Sequence, residues 1–484
     1  MVRVIFPPES FFMHRKEFLR NISLAAAGFY LPRTSFANRF AFPDVRVPLA
    51  ERRFTSKTVE AAISTVTKSV RNSELAWLFN NCFPNTLDTT VDFSTVNGRP
   101  DTYVITGDID AMWLRDSTAQ VWPYLSFAKE DPHLQQLIAG VVNRQTQNIL
   151  YDPYANAFYK DRSKVGEWAK DHTDMKPGIH ERKWEIDSLC YPVRLAHGYW
   201  KVSGDTSVFD KDWLQAAKTI INTFKEQQRK TGKGPYKFER TTAWATDGVP
   251  LGGYGYPVKP NGLICSMFRP SDDATIYPYL VPSNFFAVVS LRQLAEIANT
   301  VYLNAALANE SIALATEVQK ALLQHSITTH PQFGRVYAYE VNGYGSHNLM
   351  DDANVPSLLA MPYLNSVQHS DAIYQSTRKL VWSSANPFFF KGKAAEGIGG
   401  PHAGLDMIWP LSIIIRGLTA TSDAEVKTCL NTLVATHGGT GFMHESFHKD
   451  DPTKFTRKWF AWANTLFGEL VWETFLRKKE LLSA

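Results

Sequence analysis

Absences narrow this 484-residue sequence before any motif does. Cysteine is scarce: Cys82, Cys190, Cys265 and Cys429 stand far apart with no CxxC spacing. That pattern excludes a disulfide scaffold and a zinc knuckle, and it predicts buried free thiols. No run of lysine and arginine stands out, and the formal net charge is only +4, so nucleic acid is not expected as a partner. No P-loop, dinucleotide fingerprint or GxSxG elbow occurs, so neither a nucleotide cofactor nor a serine-hydrolase mechanism is indicated. Beyond the first forty residues no stretch is apolar for the length a membrane span needs. Strand-like alternation is also rare. It is confined to pieces such as "DTYVIT" and "GRVYAYEV", which suit hairpins on loops.

Helical periodicity is abundant. "KTVEAAISTVTKSV" (57–70) places Val59, Ala62, Ile63, Val66 and Val70 three or four residues apart. The same pattern runs through 210–232, which ends at a glycine stop, and through 283–301, 309–327 and 459–479. No linker interrupts residues 45–484, so they are expected to form a single catalytic domain. The fold class predicted is all-α: about a dozen helices arranged as an (α/α)6 toroid, with functional loops on one rim. The first forty residues differ in texture. A basic start (His14, Arg15, Lys16, Arg20), an apolar run from Ile22 to Leu31 and a small-x-small end at Ser35–Ala37 suit an export signal. "RKEFLR" is one lysine away from a twin-arginine signal. An exported, periplasmic or extracellular protein is expected, acting as a monomer.

The loops between helices are rich in Gly, Pro, Asp and aromatics. "GDIDAMWLRDS" sets Asp108, Asp110, Arg115 and Asp116 among Met112, Trp113 and Leu114. Charges among apolar groups are costly unless paired, hydrogen-bonded or used. "RPSDDA" carries Arg269, Asp272 and Asp273, one of whose aspartates could cap a helix beginning near Ala274. "HGGTGFMHESFHKDDP" presents His444, Glu445 and His448 after a glycine-rich turn. A carboxylate beside Phe442 and Met443 is a candidate acid or base. Chelation by the two histidines is disfavoured, because the flanking glycines and Asp-Asp-Pro leave no room for a long helix. "KDHTD" offers His172, and "KWEIDSLCYP" places Glu185 and Asp187 at a helix start, where they could be mere surface or capping groups. "SDDATIYPYL" and "MDDANVPSLL" echo each other, as repeated helix pairs presenting similar loops would. Paired carboxylates with aromatics and no cofactor are the minimal equipment for glycoside hydrolysis. A non-catalytic glycan-binding protein, a sugar epimerase and a glucoamylase- or trehalase-like glucosidase share part of this equipment. Only a hydrolase needs both Asp273 and Glu445 to face one cleft.

Taken in order, "TGDIDAMWLRDSTAQVWPYL", "KWEIDSLCYP", "FRPSDDATIYPYLVPSNFFAVV", "MDDANVPSLLAMPYL" and "GGTGFMHESFHKDDPTKFTRKWFAWANTLFGELV" resemble glycoside hydrolase family 125, exo-acting α-1,6-mannosidases. The resemblance runs from about Cys82 to the C-terminus. It implies an (α/α)6 barrel, an inverting mechanism, no cofactor and no metal, and terminal α-1,6-linked mannose of N-glycan-type oligosaccharides as substrate. Carried over motif by motif, it implies Glu445 as general base and an aspartate of the 272–273 pair as general acid, with Asp273 favoured. It further implies that Asp108, Trp113, Arg115, Asp116, His172, Arg269, Asp272 and His444 bind sugar or line its pocket.

Overall fold

The computed structural model describes residues 42–483. The export segment read in residues 1–40 lies outside them. Residues Asp44–Ala484 form one compact unit built of α-helices in two concentric layers. The inner layer runs through Leu114–Val121, Ile186–Ser203, Val281–Thr300, the turn-rich segment 355–364, Pro410–Leu418 and Ala461–Lys478. Between them in sequence come the outer elements: Pro132–Tyr151, Lys211–Gln227, Ala305–His325, Ala372–Val381 and Asp423–Thr436. The N-terminal pair Lys57–Ser69 and Ser73–Cys82 completes that layer. This alternation is the (α/α)6 toroid. Helices bury their faces differently by layer. Lys211–Gln227 is amphipathic: Trp213, Ala216, Ala217, Ile220, Ile221 and Phe224 form its buried stripe, and Asp210 caps its start by accepting from the Asp212 and Trp213 N–H groups. Every residue of Leu114–Val121 is buried, including its polar ones, which find partners such as the Gln145 amide donating to Thr118 at 2.8 Å.

The fourth inner position is not a regular helix. Segment 355–364 is nonetheless buried and tied to inner and outer neighbours. Tyr191 donates to the Val355 carbonyl, Tyr374 to the Leu359 carbonyl, and Tyr363 to Glu469. Asp351 caps it by accepting from the Leu358 and Leu359 N–H groups. The two echoing motifs thus stand in equivalent places, each ahead of an inner element, and they touch: Ser271 Oγ donates to Asp352 Oδ2 at 2.9 Å.

Three readings of local structure change. The helix read to Gly232 stops at Gln227, because Arg229 takes a left-handed conformation (φ 54°) and Gln228 turns in to bond the Gly262 carbonyl. No helix begins near Ala274. The chain there is pinned to a neighbouring loop by Ala274 N–H donating to Thr246 O, and the next helix starts at Val281. Short strands are commoner than alternation suggested, because most are two- or three-residue pairings between loops, too brief to show a period. "DTYVIT" does form a hairpin arm, Arg99–Val104 against Val91–Val96.

All the motif-bearing loops precede inner elements, so they gather at one end of the ring, where the inner helices present their N-termini. The ring closes there through Gly107. A side chain at that position would begin 2.3 Å from the Trp459 carbonyl, and its φ of +128° suits only glycine. The close approach lets Asp108 N–H reach Trp459 O and Ala461 N–H reach Thr106 O.

Candidate active site

The gathered loops enclose a cavity of about 380 Å³, within the range of small-molecule sites. Its floor is Arg115, in the first turn of the helix Leu114–Val121 and 2% exposed. Arg115 Nη1 donates to Glu185 Oε2 at 2.6 Å and to Asp187 Oδ2 at 3.2 Å. Its Nη2 meets Asp272 Oδ1 at 3.5 Å, and Nε stands 3.5 Å from Asp116. Asp116 and Asp187 each sit in the first turn of an inner helix, where a carboxylate is favoured by the helix dipole. One guanidinium cannot neutralise four carboxylates. Burial accordingly pushes the Glu185 and Asp187 carboxyls up, and raises Asp116 to about 6 against the opposing pull of Arg115. Asp272 goes the other way. Burial would raise it, but Arg115 and Lys183 together bring it down to about 2. Glu185 is pushed up further by the negative charges of Asp272 and Asp187, so a proton in this cluster belongs on Glu185 rather than on Asp272.

Asp272 and Asp273 lie side by side on one wall. Asp272 is held at φ +66°, a left-handed conformation unusual outside glycine, by a tight turn in which Asp272 N–H donates to Arg269 O and Arg269 N–H to Asp273 O. The turn sends the two carboxyls apart. Asp272, its side chain 21% exposed, also accepts from Asn156 Nδ2. Asp273, 2% exposed, takes one hydroxyl on each oxygen, from Thr246 at 2.6 Å and Ser271 at 3.1 Å, with His402 3.9 Å away. Burial pushes the Asp273 carboxyl up.

Glu445 lines another wall of the same cavity, just before the strand Ser446–His448. Thr456 Oγ1 donates to its Oε2 at 2.9 Å and Arg457 Nη1 to its Oε1 at 3.3 Å. Arg457 is itself anchored by Asp108, 2.8 Å from Nε. At the mouth stand Trp168, Trp244 and Glu167, above a second ionic cluster. There Arg240 binds Asp171, Glu181 and Asp247, and Lys183 binds Asp247 at 2.6 Å.

Of the residues expected to bind sugar, the structure brings Trp113, Arg115, Asp116, Asp272, Asp273 and Glu445 to the cavity. Four others require correction. His172 is exposed and points away, because the tight turn Thr173 N–H to Asp171 O aims Asp171 inward at Arg240 and its neighbour outward. His444 is buried behind Glu445, stacked on Phe455 at 3.7 Å and bonded to Thr440. Burial lowers it to about 4, so it is neutral. Arg269 lies beneath its loop, donating to Glu340 at 2.7 Å. Asp108 stands outside the cavity lining and acts on it only through Arg457. Glu185 and Asp187, read as surface or capping groups, are fully buried partners of Arg115. Lys183, Arg240, His402, Trp244 and Arg457 went unread. Arg457 carried a signal, since it lies within the quoted "TRKWF" run. Among the described residues no group of three or more His, Cys, Asp and Glu is placed to hold a metal ion. All four cysteines are buried free thiols.

The profile of a family described as metal-independent α-mannosidases, GH125, matches residues 72–472. The chain belongs to glycoside hydrolase family 125. It is 43% identical to a solved Streptococcus pneumoniae protein over 88% of this chain and all of that one, with a TM-score of 0.85. That structure is described as a metal-independent α-mannosidase in a non-productive substrate complex with α-1,6-mannobiose, from work on the processing of N-linked glycans. The meiotically up-regulated gene 157 protein of Schizosaccharomyces pombe is 43% identical over 449 residues, 89% of this chain and 88% of its own. A bacterial glucoamylase complexed with acarbose shares the fold alone: its TM-score is 0.52 at 13% identity, covering 89% of this chain and 58% of that one. The chain is therefore an α/α-toroid of an α-mannosidase family, and the cavity is its candidate active site.

Proposed function

We propose that the protein is an exo-acting, inverting α-mannosidase that removes terminal α-1,6-linked mannose from N-glycan-type oligosaccharides. The observation that carries this reading is that Glu445 and the Asp272–Asp273 pair, far apart in sequence, line one cavity. Its buried charged groups suit the hydroxyls of a single sugar, since charge-assisted hydrogen bonds are the stronger kind. The pneumococcal relative's complex with α-1,6-mannobiose supports the linkage.

In this mechanism a water lies between Glu445 and the anomeric carbon. Glu445, oriented by Thr456 and Arg457, takes its proton as the oxygen attacks. The C1–O bond breaks on the opposite face, and the leaving oxygen receives a proton from the aspartate wall. That donation is assigned to Asp273, which lines the cavity and whose carboxyl burial pushes up, whereas Arg115 and Lys183 bring Asp272 down to about 2 and leave it ionised. Asp273 is also the aspartate favoured from the sequence. Asp272, its side chain 21% exposed, remains the second reading, because both Asp273 oxygens already accept from Thr246 and Ser271. The leader motif and the glycan substrate support action outside the cytoplasm.

Stereochemistry tests the mechanism. Proton NMR of the first seconds of α-1,6-mannobiose hydrolysis should show β-mannose ahead of its mutarotation. Initial α-mannose overturns inversion, and cleavage of aryl α-glucosides in preference to α-mannosides overturns the sugar assignment.

A further inference from the structure

The exposed loop at the cavity mouth has a construction that the hydrolytic groups do not explain. Segment 240–247 is fastened at both ends. Arg240 is locked onto Asp171 and Glu181, Thr246 donates to Asp273, and Asp247 binds Lys183 and Arg240. Between these anchors residues 241–245 are exposed, and Trp244 is 54% exposed while still lining the cavity. Its backbone is fixed by Trp244 N–H donating to Thr242 Oγ1 and Asp247 N–H donating to Trp244 O. Among the described residues no ring stacks on it. Trp168, the other tryptophan of the mouth, has one face covered by the Arg240 guanidinium at 3.7 Å. A large indole held out into water on a braced loop loses the burial that normally stabilises it, so its ring is available to a partner that arrives at the mouth.

We propose that Trp244 is the platform for the leaving sugar, the residue that recognises the ring on the far side of the scissile bond. This rests on the mannosidase reading above. The loop that carries Trp244 is the one that bonds Asp273, so the indole sits outward of the proton-donating wall. The proton goes to the glycosidic oxygen, and in an exo-acting enzyme the substituent of that oxygen pointing out of the cavity is the leaving sugar. A pyranose offers an apolar C–H face that packs on a flat aromatic ring, while its hydroxyl edge is free to meet Glu167 and the solvent. A 1,6-linkage adds an exocyclic carbon between the oxygen and the leaving ring, which moves that ring outward. An exposed rim indole, rather than a buried one, fits a ring so placed.

The test compares two substrates that share the mannosyl group and differ in what leaves. α-Mannosyl fluoride has a one-atom leaving group that cannot reach the mouth, whereas α-1,6-mannobiose places a sugar there. In Trp244→Ala the ratio of kcat/KM for mannobiose to kcat/KM for the fluoride should fall about tenfold, the effect of losing one aromatic contact. Trp244→Phe should recover most of that ratio. Because Trp244 is exposed and its loop is anchored by other residues, the variant should melt with the wild type. Equal losses on both substrates, or an unchanged ratio, overturn the platform. If the wild type hydrolyses α-mannosyl fluoride and a different mannobiose but not the 1,6 isomer, the linkage reading falls. The same ratio taken on that other disaccharide then judges Trp244 separately.

Discussion

The two walls of the cavity are built on opposite principles. The Asp272–Asp273 wall is crowded: two adjacent carboxyls, a strained backbone, two hydroxyls and a floor where four carboxylates surround Arg115. The Glu445 wall is spare, with one hydroxyl and one arginine on its carboxylate. The contrast follows from the two jobs. A proton donor must hold its proton near neutral pH, so its surroundings must work against ionisation through burial and like charge. A base need only stay ionised and aimed at a water, which one cation and one hydroxyl accomplish. Loss of a neighbour should therefore disturb ionisation on the first wall and orientation on the second.

The largest effect should come from the reacting carboxyls. Glu445→Gln should lower kcat roughly 10²–10⁴-fold, and so should Asn at whichever aspartate donates the proton, with substrate binding retained. Steady-state kinetics of Asp272→Asn and Asp273→Asn side by side decide the donor. Near wild-type turnover in Asp273→Asn with a dead Asp272→Asn would reverse the assignment to Asp273.

Next come the cations that distinguish the walls. Arg115→Ala leaves four buried carboxylates without their common partner and should cost about 3–5 kcal/mol in urea unfolding. Arg457→Ala should leave stability nearly unchanged and lower kcat by up to on the order of 10²-fold, because Glu445 loses its aim. Equal stability losses for the two would mean that the walls do not differ in kind.

A smaller effect concerns Asp116, whose carboxyl burial raises to about 6. The folded state then binds more protons than the unfolded chain between roughly pH 4 and 6. The stability due to this group is fully present below pH ~4 and is lost as pH rises to 6. Asp116→Asn does not titrate, so wild type minus variant stability should decline across that window by on the order of 2–3 kcal/mol and stay flat above it. Urea unfolding at pH 4, 5, 6 and 7 measures this, and a difference that grows with pH contradicts it. The smallest effect belongs to His172→Ala, which should leave kcat/KM within about twofold, since surface substitutions away from a site are near neutral.

The sequence by itself determined the helical class, the run of loops that carry the chemistry, and the wall residues Asp272, Asp273 and Glu445. These are written locally, in the 3–4 spacing of apolar residues and in charges set among aromatics that no helix face could leave unpaired. What it left open needed neighbours from elsewhere in the chain. Asp171 and His172 have the same sequence surroundings, and only a turn against Arg240 sends one inward and the other to solvent. Glu185 reads as an ordinary cap until Arg115, 70 positions earlier, arrives at 2.6 Å. The buried 355–364 segment fills a helix position without helical periodicity, because side chains of Tyr191, Tyr374 and Asp351 bond backbone groups that helical turns otherwise would. Local spacing writes local structure. The direction a charge faces and the protonation it keeps depend on which distant charges the ring closes around it, and those only the tertiary structure decided.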